Sequence, residues 1–275
     1  MTKASIFLGK IKLGWCTSCN LPLLDETPCG ICGNNAEKIQ VSPPGDFRPS
    51  FSKDLERIRK VIDEQYGETL GRKLIPDDKI VLLNKVSYSD HMDEIIIDGR
   101  VIGNIRFNPS SKSWQFVPKI IGARRLWQAG CSKWIKVDKG AVEPITKGAN
   151  ILGPGVTDCS EDIQEGDQVI VVSPNNDVIA TGTAKRNAID ILTKIKGIVV
   201  KPREYGAPGD TFTLKGGQSW EDVVEANKEV LRKYEKDAID FIHKVCKSYN
   251  KPCLLYTSDA ADDLLCVDLG GRRII

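Results

Sequence analysis

Four cysteines in two pairs constrain this chain more than any other feature. Cys16-Thr17-Ser18-Cys19 and Cys29-Gly30-Ile31-Cys32 are two CxxC knuckles. Two-residue spacing lets both sulfurs of a knuckle point at one centre, and two knuckles complete a tetrahedral thiolate site. Gly30 and Gly33 permit the tight backbone turns that a knuckle needs. The expected occupant is one structural zinc ion, because four thiolates leave no open coordination position. A pair of disulfides, an iron–sulfur centre and a redox dithiol are the alternatives; the dithiol needs only one CxxC, usually opening a helix.

Compartment bears on that choice. The N-terminus, Met1-Thr2-Lys3-Ala4-Ser5, lacks the apolar segment and cleavage site of a secretory signal. No run of about 18 apolar residues exists to span a bilayer. The expectation is a cytoplasmic protein with no membrane partner, where thiols stay reduced and metal is favoured over disulfide. With 275 residues, 41% apolar and 28% charged, the chain has the make-up of two or three packed domains rather than of a disordered segment. A net charge of +2 does not by itself imply a nucleic-acid partner.

The C-terminal residues stand apart. Cys253-Leu254-Leu255-Tyr256-Thr257-Ser258-Asp259-Ala260-Ala261-Asp262 is the translation of TGT-CTC-TTA-TAC-ACA-TCT-GAC-GCT-GCC-GAC, a codon run that spells a transposase-type sequencing-library adapter. Val267 to Ile275 fit the outer part of the same adapter, and Asp263 to Cys266 a variable index in the same frame. Residues 253–275 are therefore expected to be a read-through scar outside the fold. Without them 39 basic and 37 acidic residues become 37 and 33, a net charge of +4, and nine cysteines become seven. The natural protein is then expected to continue past Pro252.

Hydrophobic periodicity suggests an α+β multidomain chain. A zinc-ribbon-like module fills residues 1–42, with short strands at Ile6 to Trp15 and Ala36 to Val41 around the knuckles. Val41-Ser42-Pro43-Pro44-Gly45-Asp46 reads as a linker. Residues 43–130 form a small antiparallel α+β domain: a helix over Lys53 to Tyr66 capped by Ser52, then strands at Lys79 to Val86, Asp93 to Ile97, Val101 to Phe107 and Trp114 to Val117. Asp98-Gly99 is a two-residue hairpin signal, and Gly122 to Gly130 a short helical connector. Residues 131–204 carry short strands at Trp134 to Val137, Val169 to Val172, Ile179 to Thr183 and Ile198 to Val200, the spacing of a small barrel. Residues 205–252 lead into one long helix from Ser219 to about Tyr249, with an apolar face expected to stay partly exposed. Cys131, Cys159 and Cys246 match no ligand spacing and read as buried small hydrophobes. His91, in a polar stretch before a strand, reads as a solvated loop residue, and no catalytic constellation occurs in residues 1–252.

The stretch Val137-Asp138-Lys139-Gly140-Ala141-Val142-Glu143-Pro144-Ile145, then Gly148-Ala149-Asn150-Ile151-Leu152-Gly153-Pro154-Gly155-Val156, Gly166-Asp167-Gln168-Val169, Ala180-Thr181-Gly182-Thr183-Ala184 and Lys196-Gly197-Ile198-Val199-Val200 resembles the PUA domain, a pseudo-barrel of RNA-modifying enzymes. The resemblance covers about Lys133 to Arg203. It implies an RNA surface, tRNA being one candidate, at Lys147, Gly148, Ala149, Asn150, Gly155 and Val156. The glycines there allow close backbone approach, and Lys147, Lys185 and Arg186 can contact phosphate. Glycines that only serve barrel geometry are the alternative.

The larger order is informative too. The knuckles, Pro43-Pro44-Gly45-Asp46-Phe47-Arg48-Pro49, Val81-Leu82-Leu83-Asn84-Lys85-Val86, Met92-Asp93-Glu94-Ile95-Ile96-Ile97-Asp98-Gly99 and the barrel together resemble the N-terminal half of archaeal phosphoadenosine phosphosulfate reductase-related proteins. That resemblance implies a catalytic domain beyond Tyr249-Asn250-Lys251-Pro252, with a pyrophosphate-binding loop that would take ATP or phosphoadenylyl sulfate. This chain contains no such loop, and no catalytic residue carries over. The expected role is zinc and RNA binding on behalf of a reductase-like or ATP-pyrophosphatase-like enzyme. The alternatives are a sulfonucleotide reductase with a purely structural barrel, and a stand-alone RNA-binding protein.

Overall fold

A computed structural model describes residues 12–88, 90–193, 196–209 and 214–249. The expected strand at Ile6 to Trp15 lies partly outside these residues and the adapter-like tail wholly so. Two compact units divide the chain between Ala226 and Asn227.

The first unit holds three sheets. β1 (Leu13–Cys16) pairs antiparallel with β2 (Leu21–Leu24) and with β3 (Glu37–Lys38), making a ribbon around the cysteines. β3 is shorter than the Ala36 to Val41 pattern suggested; it is exposed, and only Glu37 and Lys38 find partners, on Trp15 and Gly14.

The second sheet has the order β4-β5-β6-β7-β8. Its strands are β4 (Pro44–Pro49), β5 (Val81–Val86), β6 (Met92–Ile97), β7 (Arg100–Asn108) and β8 (Ser113–Pro118). From Pro44 onward, the proline-rich stretch read as a linker is thus a strand. It is tolerated because β4 lies at the sheet edge, where a missing N–H breaks no inner ladder, and the register slips between Pro44 and Asp46 around Gly45 at φ +82°. Asp98 and Gly99 both take positive φ, +48° and +72°, as a type I′ hairpin requires.

Helix α1 (Ser52–Tyr66) covers one face of this sheet, with α2 (Leu70–Leu74) beside it. Its N-cap is Phe51, not Ser52. The Asp54 carboxylate does the capping, reaching back to the Phe51 N–H at 3.0 Å. Ile58, Ile62 and Tyr66 from α1 meet Leu83, Ile95, Ile105 and Phe116 from the sheet in a continuous core. That core also takes Ala123 and Leu126 from α3 (Ile120–Gln128), and Ile170, Val172 and Val178 from the barrel beyond. The opposite sheet face packs Leu82 and Ile96 against Leu13, Trp15 and Leu23 of the ribbon.

The third sheet is the pseudo-barrel, with order β10-β14-β13-β12-β9-β11. β9 (Trp134–Val137) runs into α4 (Lys139–Thr146), followed by β10 (Ile151–Leu152), a 3-10 turn at Gly153–Gly155 and β11 (Val156–Cys159). β12 (Gln168–Val172), β13 (Val178–Ala184), α5 (Ala188–Leu192) and β14 (Ile198–Tyr205) complete it. β12 pairs parallel with β9 and antiparallel with β13. Its own core includes Ile135, Val137, Val169, Val171, Ile179 and Val200. The fold is therefore mixed α+β, with a four-cysteine ribbon, an antiparallel α+β sheet, a pseudo-barrel and a long C-terminal helix.

The C-terminal helical pattern is two helices rather than one. α6 (Trp220–Ala226) ends where the Ala226 carbonyl accepts the Gly30 N–H at 2.7 Å, so that oxygen is spent outside the helical ladder. Ser219 caps α6, its hydroxyl accepting the Asp222 N–H at 3.1 Å. α7 (Lys228–Tyr249) belongs to the second unit and leaves Tyr234, Ile239 and Phe241 exposed. No helix among the described residues is long and apolar enough to cross a membrane.

Candidate metal centre and nucleic-acid interface

The ribbon brings the four sulfurs of Cys16, Cys19, Cys29 and Cys32 within 4.8 Å of one another, with Cys16 and Cys32 at 3.5 Å. A zinc ion at about 2.3 Å from each sulfur needs sulfurs roughly 3.8 Å apart, so the set fits a tetrahedral thiolate site. None of the four is in a disulfide. Both knuckles have the local geometry that metal knuckles use. The Cys19 N–H points at the Cys16 sulfur at 3.3 Å, the Gly33 N–H closes onto the Cys29 carbonyl at 2.8 Å, and Gly33 sits at φ +73°. Burial pushes the Cys16 and Cys19 thiols up, whereas the Asn34 backbone N–H leads in holding the Cys32 thiol down at about 7.

What holds the centre in place is polar and buried. The Trp15 indole N–H donates to Asn20 Oδ1 at 2.9 Å, and Asn20 Nδ2 donates to Asp98 Oδ1 at 3.0 Å. Asp98 also takes a fully buried Lys79 at 3.3 Å and the Lys215 backbone N–H at 2.9 Å. The hairpin turn of the second sheet is thereby tied to the loop that carries Cys16 and Cys19. At the other knuckle, a Cβ on Gly30 would come within 2.7 Å of the Glu225 carbonyl, so glycine is needed for the close approach to α6.

The remaining cysteines divide. Burial pushes Cys131 up to about 12 and Cys159 up to about 11, as fits small apolar core residues. Cys246 departs from that expectation, because it lies on an exposed face of α7. His91 lies 2.8 Å from Asp93 with its ring edge-on to Trp114, a structural contact.

On the barrel, three of the residues singled out from sequence converge. Asn150, Lys185 and Arg186 line one depression of about 580 Å³ with Glu165, Gly197, Ile198 and Lys201. The Lys185 N–H donates to the Val199 carbonyl at 2.7 Å, which sets the β13 end beside β14. Lys201 went unread. Strand alternation alone could not have found it, because Lys201 shares a face with the buried Val199 under a period of two, and the register of β10 against β14 is irregular there.

The other residues of that set do not line this depression. Lys147 pairs with Glu143 one helical turn back, at 2.7 Å, on the open surface. Gly148, at φ +94°, lets the Tyr205 ring lie against it, where a Cβ would meet the ring at 2.7 Å. Ala149 is exposed beside it. Gly155 packs on the first turn of α4, where a Cβ would approach Ala141 at 3.3 Å. The Gly155 carbonyl accepts the Asp138 N–H at 2.9 Å, and Asp138 caps α4 through the Ala141 N–H at 2.8 Å. The Val156 side chain is buried in the barrel core and has no surface to offer a ligand, because β11 turns it inward against Ile135 and Val137.

Comparison with known proteins follows the same division. Residues 133–206 match the PUA domain model. An uncharacterized protein of Methanocaldococcus jannaschii is 34% identical over 268 residues, covering 94% of this chain and 54% of that protein. The tRNA-guanine(15) transglycosylase of the same organism is 30% identical over 154 residues, 54% of this chain and 22% of the enzyme. The chain thus spans about half the length of the first relative and less of the second. Among solved structures, a hypothetical protein from Pyrococcus horikoshii superposes with a TM-score of 0.49 at 24% identity, covering 58% of this chain and 93% of its own. The chain carries a PUA domain, preceded by a four-cysteine cluster.

Proposed function

We propose that the barrel binds RNA at the depression between Asn150, Lys185, Arg186 and Lys201, and that the four thiolates hold a structural zinc ion. The observation that carries the RNA reading is the convergence of three cationic side chains and an exposed amide on one concave surface beside Gly197. Lys185, Arg186 and Lys201 can neutralise backbone phosphates, and Asn150 offers both a donor and an acceptor to a base edge. One acid, Glu165, shares the site, so binding is selective in position rather than a general attraction. The similarity to a tRNA-modifying transglycosylase supports tRNA as the RNA class. A cytoplasmic setting belongs to the same proposal, since zinc requires the four cysteines reduced.

For the whole protein we propose a role in RNA modification. A following catalytic domain that takes ATP or phosphoadenylyl sulfate rests on the reductase resemblance alone, and the transglycosylase relative is named for tRNA instead. Filter binding against total tRNA at low salt tests the site. Replacing Lys185 and Arg186 by Ala should weaken binding and flatten its salt dependence by about 0.7 in slope for each single-strand phosphate no longer neutralised. Unchanged affinity in that variant would place the RNA elsewhere on the chain.

A further inference from the structure

We propose that the cavity where the ribbon, the five-stranded sheet and the start of α3 meet binds a small zwitterion of the amino-acid class, its ammonium on Glu94 and its carboxylate on Lys38 at the rim. The site shares no residue with the barrel depression and does not depend on the RNA reading.

Buried acids in this chain are matched by cations, with one exception. Asp98 takes Lys79 at 3.3 Å, Asp54 takes Arg48 at 2.6 Å, and Asp93 has His91 at 2.8 Å and Arg48 at 3.6 Å. Glu94 is 2% exposed and, among the described residues, makes no ion pair. Its partners are neutral. Oε1 accepts the Ser42 hydroxyl at 2.8 Å, while Oε2 accepts the Ser42 N–H at 2.9 Å and Asn84 Nδ2 at 2.8 Å. A carboxylate taken out of water without a counter-charge is costly, and a cation brought to it recovers part of that cost.

The strand register sharpens the imbalance. Asn84 on β5 and Asn104 on β7 both lie directly opposite Glu94, one on either side. Asn84 Oδ1 and Asn104 Oδ1 are buried without a hydrogen-bond partner in the protein. Glu94 Oε1 accepts only one bond where a carboxylate oxygen can take two. Three side chains in one row thus carry unused acceptor capacity, which a positively charged group rich in N–H donors complements.

Glu94 lies on the wall of a cavity of about 660 Å³, within the size range of small-molecule sites. Ile39, Val41, Val101 and Ile120 line the same cavity, a surface that suits an organic stem better than a hydrated metal ion. Its outer charges decide the other end of the ligand. Lys38 is exposed on this cavity and pairs with no acid among the described residues. The acids near it are engaged: Glu37 accepts the Thr17 hydroxyl at 3.2 Å, and Glu204 takes the Lys119 ammonium. A diamine would bring its second cation towards Lys38, whereas a carboxylate there finds a partner. A zwitterion answers the buried and the exposed end together.

Isothermal titration of the full chain tests this. The probes are the free α-amino acids, straight ω-amino acids of increasing length, n-butylamine and butyrate. At least one zwitterion should bind, and more tightly than n-butylamine or butyrate. Glu94→Gln removes the charge but keeps an oxygen for the Ser42 N–H and Asn84, and melting curves verify its fold. It should weaken the zwitterion by roughly ten- to a hundred-fold, the range for losing a hydrogen bond to a charged group. Lys38→Ala, an exposed change that leaves the fold intact, should weaken it by about two- to five-fold and leave n-butylamine unaffected. Failure of every zwitterion to bind wild type overturns the site. So does zwitterion binding that Lys38→Ala and a folded Glu94→Gln both leave unchanged. If n-butylamine binds as tightly as the best zwitterion, the carboxylate contact at Lys38 is overturned.

Discussion

Gly148 shows how one residue can be needed for shape where sequence suggested contact. It holds φ +94°, and its missing side chain makes room for the Tyr205 ring. Gly148→Ala forces an alanine into the left-handed region and into that ring, at a cost of about 1–3 kcal/mol. Thermal unfolding should fall by several degrees, at about 2–4 °C per kcal/mol for a chain of this size, while the Lys185 and Arg186 side chains stay in place. Lys147 makes the contrast. Its partner Glu143 is as exposed as it is, and such a surface pair contributes little to stability. Residue type and spacing were enough to find the sulfurs, because a metal site demands one element at fixed intervals. They were not enough to separate Val156, turned into the core, from Asn150, turned out, because that depends on where β11 meets β9.

At the scale of elements, α1 and the ribbon each depend on one polar arrangement. Asp54 accepts two bonds from Arg48, at 2.6 and 3.1 Å, and the Phe51 N–H. Arg48 leads in holding the Asp54 carboxyl below its ordinary value. The stabilisation this brings is complete above the unfolded carboxyl's pKa of about 3.9 and is lost as pH falls through the lower folded value. Asp54→Ala should cost about 1–3 kcal/mol near neutral pH, and the gap between variant and wild type should close in acid melts below pH about 4. For the ribbon, one zinc per chain is expected by elemental analysis. A chelator should unfold the ribbon, while Cys16→Ser should lower zinc content and stability together. A protein that holds neither zinc nor iron would overturn the metal reading. The strand and hairpin pattern of the second sheet was legible because alternation and the Asp98-Gly99 turn are local signals. β4 and the break after Ala226 were not, since an edge position and a carbonyl captured by Gly30 come from distant parts of the chain.

Across the whole molecule, the core under α1 does not stop at the barrel. Ile170, Val172 and Val178 of β12 and β13 lie in the same cluster as Tyr66, Phe116 and Leu126, and the Tyr66 hydroxyl donates to the Gln168 carbonyl at 3.1 Å. Strands whose two faces serve two cores are poor candidates for transplantation. The stretch 133–206 can be named as a module, but cut out alone it would present an oily flank to water. A recombination event that carried only that stretch to a new host would hand on an unfinished surface. Any excision of the barrel therefore has to carry along the parts of α1, α3 and the second sheet that cover its flank.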